Sequence, residues 1–351
     1  MNVWIDIAHV PQLNFYKPFI AALSQKGYRV YVTVLGRGKL PMIAKKELKR
    51  EENVSVFVVG KHRMNKWSAI MEANLLRLPL LWFWAIGKKI DVAFCNHHQA
   101  SMIARILGIP GYAFGDDPET KIYPTFVKMA TQSHMLIYED TTNGKILPGD
   151  KVLPCLKEWA YLNPRTFVPN EKVLEAYGVK PKEYIFLREV TVGTINYTGQ
   201  ESGAILGIKD LIPKGMKVLF SLEEKKRRNE YPADWILLQE PIEDIHSLIY
   251  YSAGLVSSGD SMAREAALLG VPAYYLGIRY SMPANAAASK VASLQNRKTM
   301  DFAEWMTQVN ELMNEGVNEL TNQQTSLRKH IDDEFIDINA YMLGLVEGVN
   351  E

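Results

Sequence analysis

The chain reads as an α/β protein with two parallel-sheet domains and a helical tail. Three observations predict this. Short apolar runs alternate with helix-like stretches over the first 138 residues. The alternation restarts near residue 183, after an irregular stretch bearing Pro148, Pro154, Pro164, Pro169 and Pro181. At 351 residues the chain is long enough for two cores. Such alternation means βαβ units, whose helices cover both faces of a parallel sheet.

In order, strands are expected at 2–8, 28–34, 54–59, 90–95, 110–114 and 134–138. Helices are expected near 14–26, 40–50, 67–88, 98–107 and 121–131. Residues 139–182 read as a linker region. The second domain follows with strands 183–188, 216–221, 235–239, 254–257 and 272–276, and helices 199–211, 244–252 and 261–269. After about residue 301 the chain reads as helical to its end. There Ile331, Phe335, Ile338, Met342 and Leu345 recur at helical spacing. The expected boundaries are 1–165 and 166–330, with 331–351 returning to pack on the first domain.

Residues 254–277, GLVSSGDSMAREAALLGVPAYYLG, are the most informative stretch. Leu255 and Val256 lead into the small-residue turn Ser257-Ser258-Gly259-Asp260. A helix opens near Ser261, with Ser258, Asp260 and Ser261 as candidate N-caps, and stops at Gly270 before Pro272. Small turn residues let the backbone approach a ligand, and helix-start N–H groups favour an anion. Glu265 lies one turn in, where it could accept hydrogen bonds from sugar hydroxyls. The competing reading is an ordinary crossover with a capped helix.

Composition is that of a globular protein, with 47% hydrophobic and 23% charged residues. Two lone cysteines, Cys95 and Cys155, fit a reducing compartment and no disulfide framework. The start, MNVWIDIAHV, lacks the features of a signal peptide, so a cytoplasmic protein is expected. Residues 75–87, LLRLPLLWFWAIG, are too short and too interrupted by Arg77 and Pro79 to span a bilayer. They read as a buried helix. The alternative is a helix lying on the membrane surface, because Trp82, Phe83 and Trp84 sit between basic flanks (Lys61, Arg63, Lys66, Lys88, Lys89). The overall charge of +1 hides a gradient: +9 over 1–165, +1 over 166–300 and −9 over 301–351. That pattern suggests docking of the acidic tail on the basic first domain, or a basic face toward an acidic partner. No nucleic-acid-binding motif accompanies the basic residues.

EAALLGVP (265–272) resembles the EAxxLGxP segment of the non-hydrolysing UDP-N-acetylglucosamine 2-epimerases and the similar segment of MurG-type glycosyltransferases. The whole chain resembles more closely a GT-B-like family catalogued as domain of unknown function 354. The blocks are WIDIAHVPQLNFYKPFIAAL (4–23), ASMIARILGIP (100–110), LKEWAYL (156–162), FVPNEKVLEAYGV (167–179), YIFLRE (184–189) and SSGDSMAREAALLGVPAYYL (257–276). The resemblance implies a GT-B fold of two Rossmann-like domains. It implies a nucleotide-sugar ligand, with Glu265 on the ribose, the 257–261 turn on the diphosphate and a basic residue, here Arg188, on the phosphates.

Each candidate has a plainer reading. Arg188 suits bidentate phosphate contact, or pairs with a neighbour such as Glu189. Ser258, Gly259, Asp260 and Ser261 would act through backbone N–H groups, or simply cap the helix. Arg264 and Arg279 are weaker phosphate candidates that read more readily as solvated side chains. Residues 241–246 lie where GT-B enzymes grip the base, and His246 reads as a helix-face residue. His9, after the first strand, is a candidate base or acceptor ligand, or a structural imidazole bonded to a loop carbonyl. His97, His98, Asp116, Asp117 and Glu119 lie at two adjacent strand ends and could divide acid and base roles, or form a polar cleft rim. Their spacing fits no metal site, and there is no DxD motif.

Two departures bear on chemistry. The chain has LREVT (187–191) and NHHQA (96–100) where the epimerases carry HRREN-like and HGDT-like segments. The first expectation is therefore a metal-independent, GT-B glycosyltransferase-like enzyme using a nucleotide diphosphate sugar, a UDP-sugar above others, in surface polysaccharide or glycolipid assembly. The partners are that donor and a carbohydrate or lipid-linked acceptor, with peripheral membrane contact through the basic first domain. The catalytic candidates are His9, His97 and Asp116. The alternatives are an epimerase-like enzyme, or a binding protein that kept the nucleotide pocket and lost catalysis.

Overall fold

A computed structural model describes all residues except 64–65, 117–131, 138–145, 147–148, 193–198, 240–241, 243 and 350–351. The expected helix 121–131, with Asp117, Glu119 and Pro241, lies outside the described residues. The chain divides into two compact units, Met1–Tyr161 with Phe335–Glu351, and Leu162–Glu334.

Unit 1 holds a seven-stranded sheet. Its strands are β1 (Asn2–Ile7), β2 (Arg29–Gly36), β3 (Val54–Lys61), β4 (Val92–Cys95), β5 (Gly111–Gly115), β6 (Gln132–Leu136) and β7 (Lys151–Leu153). Their order is β3-β2-β1-β4-β5-β6-β7, parallel throughout. β1 is buried from Val3 to Ile7, as a parallel strand covered on both faces must be. β7 falls inside the expected linker region; its three residues, KVL, are too few to show a pattern.

Unit 2 repeats the plan with a six-stranded sheet in the order β10-β9-β8-β11-β12-β13, also parallel. The strands are β8 (Tyr184–Glu189), β9 (Lys217–Leu222), β10 (Ile236–Leu237), β11 (Gly254–Ser257), β12 (Ala273–Tyr275) and β13 (Leu294–Asn296). β13 and the helix Pro283–Val291 before it are additions to the expected elements. The expected helix 199–211 is only a short 3-10 segment, Leu206–Leu211. The helix Asp260–Leu268 ends as expected before Gly270, where a φ of +73° and the 2.7 Å that would separate an added Cβ from the Gln324 carbonyl oxygen exclude a side chain.

The acidic tail is not one helix. Val317–Glu334 belongs to unit 2 and Ile338–Glu347 to unit 1. The break at Phe335 splits the predicted stripe, and Val346 rather than Leu345 is buried. Ile338–Glu347 packs against the first helix, Val10–Gln25, and Lys26 Nζ meets Glu347 at 2.8 Å. The return of the tail to the first unit is thus direct, and one basic–acidic pair accompanies it.

The 75–87 stretch departs from the buried reading. Helix Lys66–Met71 runs through a π-helical segment, Glu72–Arg77, into helix Leu78–Ile86. Leu81 and Ala85 face the core, while Trp67, Met71, Leu75, Leu76, Leu80, Phe83 and Ile86 are all more than half exposed. Apart from the adjacent Leu75 and Leu76 they recur every three or four residues, which places them along one face. The sequence looks buried because both faces are apolar, yet only one has a core beneath it.

Candidate functional site

In doubly wound sheets of this order, ligands bind beyond the carboxyl ends of the two strands where the chain reverses its direction across the sheet. In unit 1 these are β1 and β4, and in unit 2 they are β8 and β11. Among the described residues, the sequence-predicted ones form one group in each unit at or near these strand ends, with Asp116 past the neighbouring β5.

In unit 1, Asp6 near the end of β1 is fully buried. Arg77 from the π-helical segment grips it with a fork, Nη1 to Oδ2 at 3.0 Å and Nη2 to Oδ1 at 2.6 Å. Thr33 Oγ1 donates to Oδ1 at 2.5 Å. His97, which follows β4 and caps the helix His98–Ile106, places Nε2 3.0 Å from Oδ2. Burial alone would push the Asp6 carboxyl up, but the charge of Arg77 and the bond from His97 hold it well below the usual carboxylate range. A carboxylate only accepts, so it selects the Nε2–H tautomer of His97 and leaves Nδ1 as the basic nitrogen. That Nδ1 is buried and has no partner among the described residues.

His9 is the N-cap of Val10–Gln25, and its loop is pinned by Gln12 Oε1, which accepts from the amides of Ala8 at 2.7 Å and His9 at 3.2 Å. It is not bonded to a loop carbonyl through its ring. Instead Arg37 Nη1, just past β2, lies 2.8 Å from Nδ1 and 2.9 Å from Nε2. Such equidistance is open only to a group over the ring face. Burial, then the charges of Arg37, His97, His62 and Lys157, lower the imidazole to about 4. His98 is also lowered to about 4, by burial first and then by His97. Asp116, past β5, is ion-paired with Lys157. His9, His97 and Asp116 thus all lie at the carboxyl edge of one sheet.

In unit 2, the helix at the predicted turn starts one residue earlier than expected, and Gly259 is its N-cap. The serines serve the turn itself. Ser257 Oγ accepts from the Gly259 amide at 3.0 Å and donates to its carbonyl at 2.7 Å. Ser258 Oγ accepts from the Val190 amide at 2.9 Å. The Ser258 amide donates to the Arg188 carbonyl at 2.9 Å, and the Ser261 amide to Asp260 Oδ1 at 3.0 Å. Three of the amides expected to meet an anion therefore already have acceptors in this structure.

Asp260 is buried between two arginines, with Oδ2 3.3 Å from Arg264 Nη1 and 3.1 Å from Arg279 Nη1. Arg264 is 1% exposed, which overturns its reading as a solvated side chain. Asn285 completes the cluster, accepting from Arg264 Nη1 at 2.5 Å and donating to the Arg279 carbonyl at 2.6 Å. Arg188 does not pair with Glu189. It donates to Ser221 Oγ at 2.6 Å and pairs with Glu223, both on the β9 side. Glu265 meets His246, with Oε2 3.5 Å from Nε2. Glu189 points inward, accepting from the Ile205 amide at 2.7 Å, and burial raises its carboxyl despite that bond.

Sequence reasoning missed Asp6, Arg77 and Arg37 as members of the first group. The signal for two of them was present: Asp6 is a lone acid in the strand VWIDI, and Arg77 is a lone base in LLRLPLL. An ion inside an apolar element needs a partner. Arg37 follows a strand end with no pattern to mark it. No group of three or more candidate metal ligands occurs among the described residues.

No family model and no curated protein matches the chain. Solved structures do match its fold from end to end. The glycotransferase of kitacinnamycin is 12% identical at a TM-score of 0.67, covering 99% of this chain and 98% of that one. MurG of Acinetobacter baumannii is 14% identical at 0.55, covering 99% of each chain. The UDP-GlcNAc 2-epimerase of Neisseria meningitidis, solved bound to UDP-GlcNAc, is 13% identical at 0.62, covering 98% of each chain. At such identities the likeness concerns architecture. The chain has the GT-B fold: two Rossmann-like parallel-sheet units, with a C-terminal helix belonging to the first.

Proposed function

We propose that the protein is a metal-independent glycosyltransferase that uses a nucleotide diphosphate sugar, with UDP-sugars as the leading donors. The observation that carries this reading is the position of Arg188 and Glu265. Arg188 lies one residue before the carboxyl end of β8, and Glu265 lies on the helix Asp260–Leu268 that follows β11, the strand paired with β8. A guanidinium suits the diphosphate, and a carboxylate suits ribose hydroxyls. The helix start at Gly259 adds its dipole on the anion's side.

Unit 1 would take the acceptor. His97 is the best-placed general base, because Asp6 fixes its ring and tautomer as a buried carboxylate does in acyl-transfer triads. In unit 1 it would remove the proton of the acceptor hydroxyl, the attacking nucleophile; in unit 2 Arg188 would balance charge on the departing diphosphate. Asp116 and Lys157 form the polar rim of this site. Incubation with UDP-GlcNAc, with and without lipid-linked or carbohydrate acceptors, tests the reading. Acceptor-dependent release of UDP is expected. An altered sugar without release would make the protein an epimerase, and tight binding without turnover would make it a binding protein.

The exposed stripe from Trp67 to Ile86 supports peripheral contact with a membrane, and hence a lipid-linked acceptor. Basic residues flank it, exposed at Lys61, Arg63 and Lys89 and half-buried at Lys88. Apolar side chains between cations fit an anionic bilayer surface. Among the described residues no helix is long and apolar enough to cross a membrane. Such contact would place the protein at the inner face of the membrane, in glycolipid or surface-polysaccharide assembly.

A further inference from the structure

The guanidinium of Arg37 is a strong cation at the carboxyl edge of unit 1 that the catalytic reading leaves unused. It is half-buried, stands immediately past β2, and rests on the ring of His9. No carboxylate bonds it among the described residues; its partner is an imidazole. Near it, His62 follows β3, His97 follows β4 with its Nε2 on Asp6, and Lys157 pairs with Asp116. By contrast, Arg77 in the same unit has Asp6, and Arg188 in the other has Glu223. A guanidinium half withdrawn from water with no carboxylate to pair with favours an anion that completes it. The first turn of Val10–Gln25 holds no acidic residue, so nothing there repels such an anion.

We infer that Arg37 and His9 form an oxyanion subsite in unit 1 and that the acceptor carries a phosphate group seated there. The inference rests on the assignment of unit 1 to the acceptor and narrows it to a phosphorylated class. A planar fork beside an imidazole matches phosphate oxygens, and a single bidentate contact is enough to orient the acceptor. The shift of His9 agrees: its imidazole is lowered to about 4 by burial and by the charges of Arg37, His97, His62 and Lys157. A bound phosphate would offset those charges and return the ring toward its ordinary value.

The experiment uses the full chain with farnesyl phosphate, farnesol, inorganic phosphate and UDP as probes. Binding is followed by calorimetry, and the His9 ring by NMR titration, assigned with His9→Gln. Farnesyl phosphate is expected to bind at least tenfold tighter than farnesol. Arg37→Met is expected to lower that affinity about tenfold or more, with Arg37→Lys between the two, since a lone ammonium keeps charge but loses the fork. UDP affinity should stay unchanged in Arg37→Met. Farnesyl phosphate should raise the His9 midpoint in the parent protein and leave it in place in Arg37→Met, a readout that does not depend on turnover. Inorganic phosphate should produce the same rise at higher concentration. Equal affinity for farnesyl phosphate and farnesol, or an unmoved His9 midpoint, would overturn the subsite. Loss of UDP affinity in Arg37→Met would assign the anion to the donor and overturn it as well. Failure of the parent protein to bind UDP would count against the donor site alone, because the farnesyl phosphate arm does not use it.

Discussion

Arg77 closes a two-point fork on Asp6, with Nη2–Oδ1 at 2.6 Å and Nη1–Oδ2 at 3.0 Å, and both side chains are almost wholly buried. The fork joins the π-helical segment to the first strand. Arg77 Nε also donates to the Val59 carbonyl at 2.9 Å, tying β3 to the same point. π-helical segments recur at functional sites, and here one carries the cation that sets the carboxylate beside His97.

Removing one partner of this pair leaves an uncompensated buried charge. Arg77→Met should therefore destabilise unit 1 by about 3–5 kcal/mol. Asp6→Asn with Arg77→Met should recover part of that loss. Urea unfolding of the two single variants and the double variant measures the coupling directly. Additive losses would mean that the fork contributes little.

Asp6 also bears on turnover through His97. Asp6→Asn lets the amide N–H face Nε2 and favour the wrong tautomer, so kcat should fall by roughly 10²–10⁴-fold with KM little changed. His97→Gln should fall by a similar factor. A His97→Gln enzyme with parental kcat would remove His97 from the role of base.

Three histidines make the fold sensitive to acid. His9, His98 and His134 are each lowered to about 4, in every case by burial first. The unfolded chain takes up these protons near the ordinary imidazole value, about 6.5, while the folded chain holds them off until about 4. The unfolded state thus binds more protons in that window, and stability must fall as pH drops through it. The stability contribution is fully present above the ordinary imidazole value. Thermal unfolding across the window should show the loss, and His134→Phe should reduce its slope. The ring of His134 stacks on Phe114 and bonds Tyr341, so the variant also has a baseline cost.

The apolar stripe gives a separate test. Leu80→Asp and Phe83→Asp each put charge on an exposed position, so the fold should keep its melting temperature. Co-sedimentation with vesicles containing phosphatidylglycerol should fall severalfold in each. Parental sedimentation in both variants would count against membrane contact at this face.

Much of the architecture could be read from the residues. Alternating apolar runs marked β1 to β6, and Gly270 with Pro272 marked the stop of the helix expected at 261–269. The short strands β7 and β13 escaped because three residues carry no period. The 75–87 stretch was read first as buried, with a surface helix as the alternative, because local hydrophobicity does not say whether a core lies opposite. In the candidate sites, His9 and His97 were found as polar residues at strand ends. Their partners were not, since Arg37 lies 28 positions from His9 and Asp6 lies 91 positions from His97. The arginine pair on Asp260 was hidden for the same reason: Arg279 lies 19 positions away in sequence.

The central claim is that unit 2 holds a nucleoside diphosphate through Arg188 and Glu265. Calorimetric titration of UDP into the parent protein, Glu265→Ala and Arg188→Met tests it most directly. The account predicts measurable binding to the parent and a loss of about tenfold or more in each variant. UDP that binds all three proteins equally, or none of them, would contradict it.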